Sequence, residues 1–128
     1  MTIRSEIEGK LAAYAASKSI PVSYENVGFN QPNSGPFLEI YLFSIVRHNR
    51  DLAATKVRST GLFQINCYAP VGDGMAVVEA LVEDIVNTYP VLPKVGTVSI
   101  EIPLHASTGY IVDGFMCVPV TGRFRVES

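Results

Sequence analysis

The stretch GLFQINCYAPVGDGMAVVEALVEDIVNTY, residues 61–89, decides the fold. Its first part alternates as a β-strand does, because successive side chains of an extended chain point to opposite faces. Phe63, Ile65 and Cys67 form the face that we expect to be buried. Residues 69–74 contain a proline and two glycines, which predict a turn before the next element.

A helix is predicted after this turn, with Asp73 as its N-cap residue. Apolar residues recur at helical spacing and predict the buried side of this helix: Met75, Val78, Leu81, Val82, Ile85, Val86 and Tyr89. Polar residues predict the opposite side: Glu79, Glu83, Asp84, Asn87 and Thr88. An amphipathic helix directly after a half-buried strand indicates that the helix packs back onto a sheet.

The chain has 128 residues, which fits a single domain, 1–128, able to bury its own core. Its formal net charge is −2, so the chain as a whole does not attract nucleic acid or an anionic membrane. The sequence contains no apolar run long enough to predict a transmembrane helix, and we find no leader pattern. We therefore expect the protein in the cytosol of the cell that makes it.

Outward from the central stretch, the predicted elements are a helix to about residue 17, a short extended segment beginning at Val22, a turn-rich loop at 28–36, and strands at 37–46, 95–104 and 115–126. This order predicts an α+β fold with a mixed or antiparallel sheet of about four to five strands and both helices on one face. The strand at 37–46 is apolar on both faces, which predicts a central position or a partner.

Residues 47–60 carry the basic cluster of the chain: Arg47, Arg50, Lys56 and Arg58. Two interpretations of this segment stay open. In the first, Val46 and Val57 extend the flanking strands into one long hairpin. In the second, the segment is a flexible loop.

The residue types of nucleophilic catalysis are present, in Cys67, His48, His105 and Asp113, but nothing around them indicates a site. Cys67 lies in the middle of a strand, without a feature that would ionise its thiol. The two cysteines lack metal-ligand spacing, and we expect both to be buried thiols. We predict no catalytic, cofactor-binding or metal-binding residues.

Glu79 and Glu83 are like charges one turn apart on a helix that has no Lys or Arg. We expect the basic segment of a neighbouring copy to neutralise them in a head-to-tail contact, which closes into a ring if the rotation per subunit allows. The candidate subunit interface is Arg47, Arg50, Lys56, Arg58, Glu79, Glu83 and Asp84. The alternative is two independent solvated faces.

The order of these motifs resembles the small phage tail terminator, or tail-completion, proteins, in particular a phage-related family similar to the lambda minor tail terminator. The strand-turn-helix pattern YxPxGxG, formed by Tyr68, Pro70, Gly72 and Gly74, carries most of the resemblance. The IPVSYENVGFNQP stretch, the PFLEIYLF strand and the final PVTGRFRV strand agree in order.

The resemblance implies a structural virion protein, assembled in the cytoplasm of the bacterial host, that forms a hexameric ring at the head-proximal end of a phage tail. Such a ring stops polymerisation of the tail tube and joins the head, and DNA passes through its pore without specific binding. Its partners are further copies, tail-tube proteins and head-completion proteins, and it needs no cofactor or membrane.

Three other functions remain open. One is another phage neck or tail component, such as a head–tail connector or a tube subunit, since these share small α+β scaffolds. Another is a small cytosolic enzyme or ligand-binding domain that uses His48, Cys67 or His105. A nucleic-acid-binding module would use the basic segment, but aromatic residues do not interleave with its basic ones.

Overall fold

The computed structural model describes residues 3–32, 34–49, 57–91, 94–95 and 98–127; for residues 44–49, 57, 94–95 and 127 it describes the backbone alone. Its helices are α1 (Ile3–Lys18) and α2 (Met75–Thr88), and a 3-10 turn, Val71–Asp73, precedes α2. Its strands are β1 (Val22–Ser23), β2 (Phe37–Asn49), β3 (Val57–Pro70), β4 (Lys94–Val95), β5 (Val98–Ile100), β6 (His105–Ala106), β7 (Tyr110–Val112) and β8 (Phe115–Glu127).

These strands form one mixed sheet in the order β1-β2-β3-β8-β5-β4, with β6 and β7 also paired to β8. The β1–β2 pair is parallel and the other pairs are antiparallel. The predicted α+β class is confirmed. The described sheet has eight strands where about four to five were predicted. Strands of two or three residues, such as β4 and β6, are too short to give an alternating pattern.

Both helices pack on one face of the sheet. Ile7 and Leu11 of α1 and Val78 and Ile85 of α2 are fully buried against it. The ring of Tyr89, which follows α2, is also buried, and its hydroxyl donates a hydrogen bond of 2.6 Å to the carbonyl oxygen of Ile7. This bond ties the end of the second helix to the first.

The strand β3 lies in the middle of the sheet and pairs with β2 on one edge and with β8 on the other. As predicted, Phe63, Ile65 and Cys67 are buried beneath the helices. Because side chains alternate across a strand, Leu62, Asn66 and their cross-strand partners face the other way. The sheet therefore has a helix-covered face and an opposite face.

The long hairpin proposed for residues 47–60 is confirmed in its paired part, since β2 and β3 remain paired as far as Asn49 and Val57. The register shifts between Phe43 and Val46, where β2 has two residues opposite Gly61. A Cβ atom at Gly61 would lie 2.7 Å from a ring carbon of Phe124, so the tight packing here requires glycine. The tip of the hairpin, residues 50–56, lies outside the described residues.

The predicted N-cap at Asp73 is wrong. Asp73 belongs to the 3-10 turn, and the N-cap position of α2 is occupied by Gly74, with φ 78° and no side-chain capping bond. The positive φ is a conformation that glycine adopts without strain. Because this turn presents the first residue of α2 to solvent, Met75 is 47% exposed, although its spacing predicted burial.

The strand predicted at 95–104 is also shorter than expected. Among the described residues of this range, Val98–Ile100 pairs with β8 and the backbone N–H of Glu101 adds one bond to the carbonyl of Arg123, whereas Ile102, which fits the alternating pattern, is 44% exposed. Pro103 lacks the backbone N–H that a longer ladder would need. The alternation of apolar residues in the sequence therefore extends to Ile102, beyond the residues of this strand that pair with β8.

Replacing Gly122 with alanine will destabilise the fold. Its Cβ would lie 2.5 Å from a ring carbon of Phe63, in the core beneath the helices. We expect the Gly122→Ala variant to lose about 1–3 kcal/mol of unfolding free energy, measured by urea denaturation. The matched control is Gly9→Ala in α1, where no described atom beyond the backbone of its own helix lies within 4 Å of the added Cβ.

That control should gain about 0.5–1 kcal/mol, because alanine is the better helix former. Equal stability of the Gly122→Ala variant and the unchanged protein would contradict the close packing of β8 against Phe63.

Candidate subunit-contact surfaces

One half of the sheet face opposite the helices is closed by a second, smaller core. This core contains Phe37, Tyr68, Phe115 and Cys117, and Phe29 from the loop before β2 packs on it. The rings of Phe37 and Tyr68 stack with centroids 4.3 Å apart, a favourable aromatic geometry.

The polar groups next to this small core satisfy one another. The Tyr68 hydroxyl and the Asn66 amide both donate to Oε1 of Glu39, at 2.5 and 3.2 Å. Gln64 donates in turn to Asn66 Oδ1 at 2.7 Å. Since Asn66 is only 5% exposed, these bonds offset the cost of burying its amide.

The other half of this face is open. We define the open sheet face as Tyr41, Phe43, Thr60, Leu62, Thr121 and Arg123, which the strand register places side by side. Phe43 is 41% exposed, and its ring lies against that of Tyr41 with centroids 6.4 Å apart. A depression of about 280 Å³ lies beside Leu62 and Arg123, and its rim includes Glu101. Aromatic and aliphatic surface is thus left accessible next to a charged group.

Three arginines lie along this open half. The register pairs Thr60 with Arg125 and Leu62 with Arg123, and Arg58 follows two residues from Thr60 on the same face of β3. Sequence reasoning identified Arg58 but missed the two arginines of β8. The alternating RFRV segment indicates that Arg123 and Arg125 share one face of a strand. Only the pairing of β3 with β8 brings them beside Arg58.

The outer side of α2 carries the opposite charge. We define the acidic helix face as Ala76, Glu79, Ala80, Glu83 and Asn87, all exposed. Within the part of the chain that the structure describes, neither Glu79 nor Glu83 has an ion-pair partner. No described cation therefore offsets the repulsion between these two carboxylates.

Asp84 differs from these two glutamates. It is half-buried and accepts a hydrogen bond of 2.9 Å from the hydroxyl of Tyr14. Burial, followed by this bond, raises the pKa of Tyr14 well above its ordinary range. Asp84 therefore joins the two helices within one chain.

Of the predicted basic residues, Arg58 is the one whose side chain the structure describes, and it does not meet the predicted acidic residues within one chain. Arg58 lies on the face opposite the helices, whereas Glu79 and Glu83 lie on the outer side of the helix layer. The side chain of Arg47 and the whole of Arg50 and Lys56 fall outside the described residues. Any pairing of Arg58 with these glutamates must join two copies.

The described residues of the types that suggested catalysis are also separated, and the side chain of His48 lies outside the described part of the structure. Cys67 is fully buried under the helices, and burial, reinforced by nearby Cys117, raises the pKa of its thiol. His105 and Asp113 are exposed. Cys117 lies on the opposite face of the sheet, which explains why the two cysteines are free thiols. Both are buried, as predicted.

The described residues contain no cluster of His, Cys, Asp and Glu that could hold a metal ion. They also contain no helix with the length and apolar character that crossing a membrane requires. Separately from these findings, the described residues form two accessible surfaces, the open sheet face with its arginines and the acidic helix face.

The sequence model of the family described as phage tail terminator protein matches residues 2–124, and the chain belongs to this family. It is accordingly a structural protein of the phage tail and a component of the virion. None of the curated proteins matches the chain.

Two solved structures share the fold. One is 26% identical, with a TM-score of 0.79 over 97% of this chain and 92% of that one. The other comes from the virion of a native gene transfer agent particle and is 18% identical, with a TM-score of 0.64 over 98% of this chain and 95% of that one. The predicted family resemblance is confirmed.

The edge of β2 near the open sheet face is anchored by Glu25. Its Oε1 accepts from the backbone N–H of Leu42 and from Arg4, each at 2.8 Å. The Arg4 hydrogen bond, followed by that of Leu42, lowers the pKa of Glu25. A carboxyl group with a lowered pKa in the folded state stabilises that state above its ordinary pKa, and this contribution is lost as the pH falls.

We therefore expect Glu25→Gln to lower the unfolding free energy at pH 7 by up to about 1 kcal/mol, since the group is partly solvated. The difference should shrink as the pH falls below about 4.3, the ordinary pKa of glutamate. Urea denaturation across this range checks it, with Glu79→Gln as the control that stays within about 0.5 kcal/mol at pH 7. A difference that does not depend on pH would contradict the role of the carboxylate charge.

Proposed function

We propose that the protein is a tail terminator: a ring that caps the head-proximal end of the tail tube, stops its polymerisation and offers the surface to which the head joins. The match of the phage tail terminator family model to residues 2–124 carries this proposal. The chain acts as one domain, 1–128, with the tail-tube and head-completion proteins as its partners.

The charge distribution supports assembly into a ring. Arg58 and the acidic side of α2 lie on different faces of the molecule, so a contact between them in an assembly is head-to-tail. A head-to-tail contact generates a ring when the rotation per subunit closes. We propose that Arg47, Arg50, Lys56 and Arg58 of one copy face Glu79, Glu83 and Asp84 of the next, and that six copies close the ring.

This function needs surfaces and no reaction. The protein therefore acts without catalysis or a cofactor, is built into the virion after assembly in the host cytoplasm, and lets DNA pass through its pore without specific binding. The formal net charge of −2 supports weak contact with DNA, because binding to the phosphate backbone depends on added cationic groups.

Adding the purified protein to tail-tube subunits during polymerisation should produce shorter tubes as its concentration rises, because a capped end no longer grows. Electron microscopy of tube length checks this, and the cap should be visible at one end. Tubes of unchanged length would contradict the terminator function. If the protein alone polymerises into tubes, it is a tube subunit instead.

Reversing both charges in Glu79→Lys/Glu83→Lys should reduce the ring to smaller species in native mass spectrometry, because the basic segment would then face like charges. Asp73→Lys is the matched control, since Asp73 is an exposed acid before α2 and outside the proposed contact. A ring of unchanged size in the double variant would rule out the contact and leave two independent solvated faces.

A further inference from the structure

We propose that the acidic helix face of a second copy packs on the open sheet face. This inference rests on the proposed function, which it deepens by naming the surface that the next subunit covers. It also adds Arg123, which sequence reasoning missed, to the contact.

No described element covers the open sheet face, unlike the rest of the sheet. The helices cover one side of the sheet, and the small core around Phe37 covers half of the other. Phe43 remains 41% exposed, and the depression beside Leu62 is open to solvent. Packing a helix on this half would remove that apolar surface from water, which is the main favourable term in protein association.

The charges on the open sheet face favour α2 as the helix that packs on it. Arg123 is exposed at the edge of the depression, and within the described residues it has no ion-pair partner. Arg58 and Arg125 lie on the same face and already have interactions within the chain, so Arg123 is the described arginine there that is left to pair with a carboxylate of a second copy. The acidic helix face offers Glu79 and Glu83, which have no ion-pair partner among the described residues of their own chain.

Shape also favours α2. Between its glutamates the acidic helix face exposes Ala76 and Ala80, whose small side chains let the helix approach a flat sheet closely. The buried side of α2 already packs on β3 and β8 in its own chain. The same helix would then lie between two sheets, one from each copy, and give a three-layer arrangement at each contact.

The two surfaces belong to opposite sides of one molecule, so each copy can offer its helix to one neighbour and its sheet to another. The open sheet face is continuous with β3 at Arg58, where the basic segment begins. A single neighbour could therefore contact both the hairpin and the sheet below it.

Site-directed cross-linking tests this contact. The variant with Leu62→Cys on the sheet and Ala80→Cys on the helix should form a ladder of multimers with a short bifunctional thiol reagent. Each single variant alone should give no ladder, because one cysteine joins two copies at most. The native thiols are buried and do not compete. Leu62→Cys with Ala16→Cys, an exposed position on α1, is the matched control and should stay monomeric on denaturing gels.

A charge exchange gives a second measurement. Arg123→Glu and Glu83→Arg should each weaken self-association about tenfold, which corresponds to about 1.4 kcal/mol, and the effect should decrease with added salt. Combining the two substitutions should restore most of the affinity. Lys18→Glu, at the end of α1, is the control that should leave it unchanged.

The outcomes separate this inference from the proposed function. A ladder whose largest member matches a closed ring supports both, and a ladder without a closed ring supports the contact alone. A ring that forms without any Leu62→Cys/Ala80→Cys cross-link overturns this contact and leaves the terminator function standing. Dimers from Leu62→Cys alone would show that two sheets meet face to face, which overturns the helix-on-sheet contact. Protein that stays monomeric and forms no cross-links also overturns this contact.

Discussion

The pairing of β3 along both of its edges is the constraint on which the rest of the structure depends. Every residue of β3 from Arg58 to Pro70 has a partner on β8, and most also have one on β2. This pairing satisfies the backbone groups of a buried strand, which would otherwise be costly to remove from water. It also sets which side chains face the helices, because a shift of one residue would turn each of them to the other face.

The two faces of the sheet then acquire different roles. Phe63, Ile65 and Cys67 face the helices and complete the main core, so that side of the molecule is closed. On the other side the polar bonds around Glu39 and the small aromatic core close only one half. The accessible remainder and the glutamates of α2, which have no ion-pair partner among the described residues, are the surfaces that we propose for contact with further copies.

Much of the fold could be predicted from local pattern. The alternation in residues 62–68 and the helical spacing after Gly74 predicted the central strand, its buried face and the second helix, because period and burial are properties of neighbouring residues. Asp73 and Met75 were wrongly predicted because a 3-10 turn displaces the start of the helix, and no periodicity reports such a turn. The short strands β4, β6 and β7 exist only through pairing with distant residues.

The candidate surfaces divide in the same way. The sequence by itself determined the acidic side of α2, the basic segment and the lack of an evident catalytic motif, since each depends on residues close together in the chain. Only the tertiary structure decided that Arg123 and Arg125 join Arg58, that Asp84 is held by Tyr14 and that half of one sheet face is open. The physical reason is that strand pairing and burial bring together residues far apart in the chain, and a linear pattern carries no record of which strands will be neighbours.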